Sequence, residues 1–353
     1  MATTNNPLTD SSGADPSVSR VTMTVCGLKL DVYGLTELPA AASKVSCVWL
    51  HNPRLCTKED MASIATKTLA AYHKRSPSSA RGLIAVAFDQ RNHGTRLVDA
   101  RANHDWRSGN KTHAQDMFGI INGTVVDTMN LIDMVEGYLF GAGDGPGALP
   151  DGGKRRIDHN LVLGVSLGGH SAWQLMFADP RVTAGVIVIG CPNYPKLLKD
   201  RARLSKLQTY AEPDGDSFFG SKDFPDALAN ACNKYDPKSI LFGSGDKDQL
   251  SNFANDSERL RPLLASRVAG KRFQVLSGGA DKLVPYAVGE PFLKFLKTAA
   301  ESWGVDGGIY VEDNIYPGAG HEFNADMSDD AVRFILDSVA LADRGKETAS
   351  SMI

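Results

Sequence analysis

The stretch Leu161-Val162-Leu163-Gly164-Val165-Ser166-Leu167-Gly168-Gly169 decides the fold of this chain. Its apolar first half is typical of a short buried strand, and apolar residues recur at helical spacing directly after it. A strand that turns at once into a helix strains the residue at the turn, and only small neighbours fit beside that residue. The stretch therefore predicts a strand-turn-helix unit that exposes the Ser166 hydroxyl in front of a helix N-terminus, where negative charge is favoured. A glycine-rich turn with an incidental serine is the alternative interpretation.

Buried strands and helices alternate along the rest of the chain, which predicts parallel strand-helix-strand units in a doubly wound α/β fold. We expect a mostly parallel, twisted sheet of about eight strands with helices on both faces. Ligands bind such sheets at the carboxyl ends of the strands, and Ser166 follows one of those ends. The predicted strands are an edge hairpin over 21–33 and then 45–50, 82–88, 161–165, 182–189, 272–276 and 308–311; the predicted helices are 57–74, 114–139, 287–302 and 329–341.

The domain organisation follows from composition. Residues 1–19 are rich in Thr, Asn, Ser, Asp and Pro without an apolar run, which predicts a disordered N-terminal tail and no signal peptide. Residues 192–242 are polar, contain Pro, Asp and Gly, and are too long for a simple connection. We interpret them as a helical cap or lid inserted into a core of residues 20–191 and 243–345; an ordinary surface excursion is the alternative.

Charge and composition exclude several classes of function. The 353 residues carry a formal net charge of −3, so neither nucleic acid nor an anionic membrane would attract the chain. The sequence contains no apolar run of about 18 residues, and we therefore expect no transmembrane span. The five cysteines include no C-x-x-C pair, which indicates reduced thiols in a cytoplasmic protein and neither a disulfide framework nor a metal site. The sequence does not indicate an oligomeric state.

Ser166, Asp281 and His321 are the types of residue that acyl transfer by a serine requires, and they occur along the chain in this order. Such a reaction needs a base for the hydroxyl proton and a carboxylate that holds the base in the right tautomer. Asp281 and His321 follow later predicted strands, so we expect both at the same sheet edge as Ser166. Asp246 and Asp248 are alternative acids in a turn with no clear strand before it. Of the eight histidines, His321 fits best, because the two others near strand ends, His51 and His93, follow early strands.

These segments together resemble the α/β-hydrolase fold superfamily over 21–341. Gly164-Val165-Ser166-Leu167-Gly168 matches the family's nucleophile elbow. Phe88-Asp89-Gln90-Arg91-Asn92-His93-Gly94 is similar to its D-x-R-G-H-G loop, with Asn92 in place of the usual glycine. Gly278-Gly279-Ala280-Asp281-Lys282-Leu283-Val284-Pro285 resembles the acid loop, and Gly320-His321 the histidine loop. Each motif is weak alone, but their order and spacing make the resemblance strong.

The resemblance implies roles for the site residues. Ser166 would be the nucleophile, His321 the base and Asp281 the acid that orients it, with the Leu167 N–H as one oxyanion donor. The family commonly takes the second donor from the loop that here reads His51-Asn52-Pro53-Arg54. Pro53 has no N–H, so that donor must be Asn52 or Arg54 unless the loop is arranged differently.

Other side chains are candidates for substrate binding. These are His51 and Arg54 in the same loop and Tyr194 in the 192–242 segment. Arg54 is a candidate ligand for a substrate carboxylate, with a solvated arginine as the alternative.

The sequence therefore predicts a serine hydrolase, esterase-like or lipase-like, that acts on a small molecule without a cofactor or a metal. A carboxylic ester is the expected substrate, cleaved through an acyl-enzyme. Thioesters, amides or peptides, and transfer of the acyl group to an alcohol remain open, because the same groups serve all of them and a fold does not choose among them. A non-catalytic ligand-binding protein is the alternative from a different class.

Overall fold

A computed structural model describes residues 6–10, 13–76, 80–141, 145–149, 153–245, 256–303 and 308–350, with side chains to residue 343. Within these residues the strands form one eight-stranded sheet in the order β1-β2-β4-β3-β5-β6-β7-β8. The pairs β1-β2 and β2-β4 are antiparallel, and all other neighbours are parallel. The strands are β1 (Arg20–Val25), β2 (Leu28–Tyr33), β3 (Lys44–His51), β4 (Arg81–Phe88), β5 (Arg156–Val165), β6 (Val182–Val188), β7 (Arg272–Gly278) and β8 (Tyr310–Tyr316).

The expected α/β class, the strand number and the edge hairpin are confirmed. The hairpin turn between β1 and β2 consists of Cys26 and Gly27, both at positive φ (52° and 79°). Tight two-residue turns with this backbone match the twist of the strands that they join. The central strands are buried on both faces, as a parallel sheet covered by helices requires.

Helices cover both faces of the sheet. They are α1 (Ala62–Arg75), α2 (His113–Phe140), α3 (Leu167–Ala178), α4 (Tyr194–Leu204), α5 (Asp226–Tyr235), α6 (Pro237–Phe242), α7 (Ser257–Val268), α8 (Tyr286–Ser302) and α9 (Ala325–Ser350). One apolar core lies between the sheet and α2, α3, α7 and α8, around Trp49, Trp173 and Phe273. A second lies between the opposite face and α1 and α9, around Leu69 and Phe334. None of the helices in the described residues is both long and apolar enough to cross a bilayer.

The segment 192–242 contains α4, α5 and α6 and contributes to a third apolar cluster. This cluster joins Leu197 and Phe218 of the segment to Leu167 and Val284. Leu167 follows Ser166, and Val284 lies three residues after Asp281. The segment therefore packs directly against the residues that flank two predicted catalytic positions.

The N-terminal segment differs from the expected disordered tail. Leu8 forms a parallel bridge with Phe323: the Phe323 N–H donates to the Pro7 carbonyl at 2.6 Å, and the Thr9 N–H donates to the Phe323 carbonyl at 3.2 Å. Asp10 pairs with Lys67 at 3.0 Å. Because these backbone and charged groups find partners on the core, residues 7–10 lie against the fold despite the polar composition of the N-terminal segment.

Candidate active site

Ser166 occupies the sharp turn between β5 and α3. Its φ of 55° and ψ of −110° lie outside the regions that ordinary residues favour, and its N–H donates to the Val188 carbonyl at 2.9 Å. The flanking glycines have a steric cause. A Cβ on Gly164 would lie 2.0 Å from the Gly168 carbonyl oxygen, and a Cβ on Gly168 would lie 2.1 Å from the His51 carbonyl oxygen. Any other residue at either position would push the backbone apart.

Three side chains from three loops form one hydrogen-bonded chain. Ser166 Oγ lies 2.8 Å from His321 Nε2, and His321 Nδ1 lies 2.8 Å from Asp281 Oδ2. The second oxygen of Asp281, Oδ1, accepts the N–H groups of Leu283 and Val284 at 2.8 and 2.9 Å. Because β5, β7 and β8 are parallel, the loops after them meet at one edge of the sheet and bring these residues together.

The environment keeps Asp281 ionised. Burial alone would raise its pKa, but the hydrogen bond and the charge of His321, with the two backbone N–H groups, outweigh burial and lower the pKa. The Asp281 side chain is only 1 % exposed, whereas that of His321 is 16 % exposed. The Asp281 carboxylate is therefore shielded from water and held in place, whereas the His321 ring remains partly accessible.

The loop after β3 lies against the elbow. The close approach of the His51 carbonyl to Gly168 sets its position. Asn52 holds the loop through its Nδ2, which donates to the carbonyls of Pro53 and Cys56 at 3.0 and 2.8 Å. Leu167 begins α3, where a helix leaves its first N–H groups without an intrahelical acceptor. The predicted donors of an oxyanion hole are thus placed on the two segments that meet beside Ser166.

The backbone conformation of Asn92 explains how it can replace the glycine of the D-x-R-G-H-G loop. It has a φ of 59°, a left-handed conformation that asparagine tolerates better than most residues. Its Oδ1 accepts the N–H groups of Val98 and Asp99 at 2.9 Å each, and its Nδ2 donates to Asp99 O and Asn103 Oδ1 at 2.7 and 2.8 Å. The substitution keeps the backbone turn and ties it to the following loop.

Two of the predicted substrate-binding residues have other partners. His51 is fully buried, its Nε2 lies 2.9 Å from Thr128 Oγ1, and burial lowers its pKa to about 3. Tyr194 is also buried, and its hydroxyl donates to the Ala114 carbonyl at 2.6 Å. Both side chains therefore pack the core and do not line an open site, which corrects the prediction made for them. Sequence patterns place a residue near a strand end but do not show which way its ring points.

Arg54 is mostly buried, and its Nη1 donates to the Asn103 carbonyl at 3.2 Å. This differs from the solvated arginine that was the alternative. A second arginine, Arg201 on α4, was not predicted; it reaches the acid loop, where its Nη2 donates to the Leu283 carbonyl at 3.2 Å. No motif surrounds Arg201, so only the fold reveals its position.

Four other histidines have partners elsewhere and are not part of the hydrogen-bonded chain at Ser166. His93, His113, His159 and His170 each bond another group through Nδ1: the carbonyls of Arg91 and His104, the Ser46 hydroxyl and the Cys191 backbone, respectively. The alternative acids Asp246 and Asp248 lie outside the described residues.

The cysteines are unpaired in the structure. Cys26 is exposed on the hairpin turn, and the other four are buried. Burial raises the pKa of Cys56 and of Cys191 to about 12, so these thiols stay protonated near neutral pH and are poor nucleophiles. In the part of the chain that the structure describes, no group of three or more His, Cys, Asp or Glu side chains is arranged to hold a metal ion.

Comparison with known proteins gives no match to a family model and no match to a curated protein sequence. The fold, by contrast, is similar to that of many solved structures. TT1662 from Thermus thermophilus is 17% identical, with a TM-score of 0.52 over 90% of this chain and 96% of that one. Acetyl xylan esterase 1 from Thermoanaerobacterium sp. JW/SL YS485 is 15% identical, with a TM-score of 0.45 over 94% of this chain and 86% of that one. A cold-adapted esterase from an Arctic intertidal metagenomic library is 14% identical, with a TM-score of 0.45 over 92% and 98%.

The strand order, with one antiparallel hairpin at its start, agrees with the resemblance seen in the sequence. A strained serine turn follows β5, an aspartate loop follows β7 and a histidine loop follows β8. From this topology and from its similarity to solved structures, the chain has the α/β-hydrolase fold.

Proposed function

We propose that this protein is a serine hydrolase that cleaves a small carboxylic ester through Ser166, His321 and Asp281. One observation carries the proposal: the unbroken hydrogen-bonded chain from Ser166 Oγ through both nitrogens of His321 to Asp281, at 2.8 Å in each step. A protein that only binds a ligand has no need of a nucleophile, a base and an orienting carboxylate in this geometry.

Each residue has a defined role in this proposal. His321 Nε2 takes the proton of Ser166 as Oγ attacks the ester carbonyl, and Asp281 holds His321 in the tautomer that leaves Nε2 free to accept. The Leu167 N–H stabilises the oxyanion together with a second N–H from the loop after β3, which we assign to Asn52, with Arg54 as the alternative. His321 then protonates the departing alcohol, and water, activated by the same histidine, releases the acid from Ser166.

The segment 192–242 acts as a cap in this proposal. Its packing against Leu167 and Val284, which flank the proposed nucleophile and acid, supports this assignment. A cap in this position limits the size of the acyl or alcohol group and excludes bulk water, which strengthens electrostatic interactions within the site. The five unpaired thiols support a reducing compartment, the cytoplasm, as the setting.

A panel of substrates tests the proposal. We expect turnover of 4-nitrophenyl esters with a preferred chain length, and less efficient turnover of matched thioesters and amides. Ser166→Ala should abolish it. Ser171→Ala is the matched control, because Ser171 is a buried serine one turn along α3 whose hydroxyl donates to the Leu167 carbonyl at 3.3 Å; it should retain most of the activity. Preferred cleavage of thioesters or amides would reassign the substrate class, and turnover that survives Ser166→Ala would refute the proposed nucleophile.

A further inference from the structure

Gln90 connects the loop after β3 to helix α2. It follows Asp89 directly after β4, at the variable position of the segment that is similar to the D-x-R-G-H-G loop, so the resemblance assigns it no role. Its side chain is fully buried, and its Nε2 donates to the Asn52 carbonyl. A backbone carbonyl only accepts hydrogen bonds, so this contact fixes which end of the amide faces Asn52. Gln90 therefore holds the residue to which we assign the second oxyanion donor.

The other end of the Gln90 amide faces α2. Thr124 Oγ1 lies 3.1 Å from Gln90 Oε1 and 3.0 Å from the Ile120 carbonyl, so the Thr124 hydroxyl is placed to donate to both acceptors. The Thr124 side chain is fully buried. Ser171 Oγ lies farther from Gln90 Oε1, at 3.5 Å, which is long for a hydrogen bond between two oxygens. The amide thus spans the space between the Asn52 backbone and a hydroxyl group of α2, with a partner at each end.

The same helix holds the residue before Asn52. His51 Nε2 lies 2.9 Å from Thr128 Oγ1, and Thr128 donates its hydroxyl proton to the Thr124 carbonyl at 2.7 Å. Because the Thr128 hydroxyl uses its one proton in that bond, it accepts the N–H of His51 Nε2. Helix α2 therefore fixes two consecutive residues of the loop: the ring of His51 directly, and the backbone of Asn52 through Gln90.

These contacts fix the direction of the Asn52 N–H. This N–H lies in the planar peptide unit that contains the His51 carbonyl, and that carbonyl lies against Gly168 of α3. The next carbonyl along the chain, that of Asn52, is held by Gln90. Because the peptide units on both sides of the Asn52 Cα are planar and held, φ and ψ of Asn52 have little freedom.

We propose that Gln90 is a positioning residue that ties Asn52 to α2 and so holds the Asn52 N–H where the oxyanion forms at Ser166. An oxyanion donor is effective only when it lies about 2.7–3.1 Å from the oxygen that becomes charged, so its placement matters as much as its presence. Gln90 acts through Asn52 and is assigned no contact with the substrate. This inference rests on the proposed serine hydrolase activity and adds to it a residue outside the reacting groups.

A comparison of an ester with its thionoester measures the placement of the donors. In 4-nitrophenyl thionoacetate, sulfur replaces only the carbonyl oxygen of 4-nitrophenyl acetate, and sulfur is the larger atom and the weaker hydrogen-bond acceptor. Donors placed for an oxyanion therefore favour the acetate, and the ratio of kcat/KM for acetate to that for thionoacetate reports their placement. A variant that is merely less stable provides less active enzyme for both compounds, so its ratio equals that of the wild type.

The variant Gln90→Met keeps the length of the side chain and removes both hydrogen bonds. Because a misplacement of about 1 Å can cost about 10²-fold, kcat for the acetate should fall by about 10- to 100-fold with little change in KM, and the ratio by about 10-fold. Gln174→Met is the matched control, since Gln174 is a buried glutamine of α3 whose Oε1 accepts Asn122 Nδ2 at 3.4 Å; its ratio should equal that of the wild type. An unchanged ratio in Gln90→Met would overturn the inference.

Thr124 provides a second test, which leaves Gln90 in place and applies even if Gln90→Met does not fold. Thr124→Val removes the hydroxyl from a side chain of similar size, and Thr124→Ser keeps the hydroxyl. The loss leaves Gln90 Oε1 without its donor on α2, so the ratio should fall in Thr124→Val and stay close to the wild-type value in Thr124→Ser. Equal ratios in these two variants would show that α2 does not hold the amide, and would also overturn the inference.

A fluorophosphonate probe separates this inference from the proposed function. If the probe labels Ser166 in the wild type and the ratio falls in Gln90→Met, both are supported. If it labels Ser166 in the wild type and in Gln90→Met while the ratio is unchanged, the role of Gln90 is wrong and the nucleophile stands. A folded wild-type protein that takes no label fails the proposed function itself.

Discussion

Asp281 uses both of its carboxylate oxygens, one on His321 Nδ1 at 2.8 Å and the other on the N–H groups of its own loop. An asparagine would keep the shape of the side chain but has only one acceptor oxygen, because its other terminal group is an N–H donor. An N–H donor that faces Nδ1 favours the wrong tautomer of His321. Asp281→Asn should therefore lower kcat by about 10⁴ with a much smaller effect on KM. Steady-state kinetics with the best ester of the panel measure this. The same loss in Asp246→Asn or Asp248→Asn, with Asp281→Asn active, would move the acid to that position.

The contact between Gly168 and the His51 carbonyl gives a test of the oxyanion geometry. A Cβ on Gly168 would lie 2.1 Å from that oxygen, so Gly168→Ala must displace the loop that carries Asn52. Losing one oxyanion donor costs about 10² to 10³ in kcat, and we expect a loss of that size. Gly119→Ala is the control, because Gly119 lies on the exposed side of α2 with no atom within 4 Å of its Cβ position; activity should persist and stability should rise slightly. Full activity in Gly168→Ala would show that the position of this loop does not affect catalysis.

The N-terminal segment holds the loop that carries His321. Phe323, two residues after His321, exchanges backbone hydrogen bonds with Pro7 and Thr9. A chain that begins at residue 11 loses these bonds and the pair between Asp10 and Lys67. Because a catalytic group displaced by about 1 Å can cost 10²-fold, kcat should fall by about 10- to 100-fold. Circular dichroism should show that the truncated chain remains folded; unchanged kcat would mean that the His321 loop is fixed without the segment.

Asp236 makes the stability of the α4–α6 region depend on pH. Its carboxylate accepts the Tyr194 N–H at 2.8 Å and the Ser239 N–H at 3.0 Å, and burial raises its pKa from the ordinary 3.8 to about 6 despite these bonds. Between these two pH values the folded state keeps a proton that the unfolded state has released. The contribution of Asp236 to stability therefore falls as pH rises through this window and stays low above it.

The variant Asp236→Asn removes this titration. Relative to the variant, the wild type should lose roughly 3 kcal/mol in free energy of unfolding between about pH 3.5 and pH 7, since two pKa units correspond to about that energy. Urea unfolding of both proteins across this range measures the difference. A difference that does not change with pH would mean that Asp236 is not held protonated in the folded protein.

The turn at Ser166 and the parallel sheet around it can be predicted from the sequence, because local sterics and the periodicity of apolar residues determine them. The sharp turn at Ser166 requires small neighbours, which explains Gly164 and Gly168. Asp281 and His321 follow parallel strands and must therefore lie at the same edge of the sheet as Ser166. The orientation of side chains is harder to predict from the sequence. His51 and Tyr194 occupy positions suitable for substrate binding, yet their polar atoms bond Thr128 and Ala114 inside the core.

Features that depend on contacts between distant segments could not be predicted. No sequence pattern surrounds Arg201, and only the packing of α4 brings its guanidinium to the Leu283 carbonyl of the acid loop. The polar composition of residues 1–19 is typical of disorder, but it does not show that the Phe323 backbone accepts a short parallel bridge with Leu8. Nor does periodicity alone reveal α7, which the sequence did not predict.

The central claim is that Ser166 is an activated nucleophile, and covalent labelling tests it most directly. Intact-protein mass spectrometry after treatment with a fluorophosphonate should show one adduct per chain, located on the peptide that contains Ser166. The Ser166→Ala variant should take no adduct, and His321→Ala should react far more slowly, because Oγ would lose its base at 2.8 Å. A folded wild-type protein that remains unlabelled, or a Ser166→Ala variant that is labelled as fast as the wild type, would contradict the account.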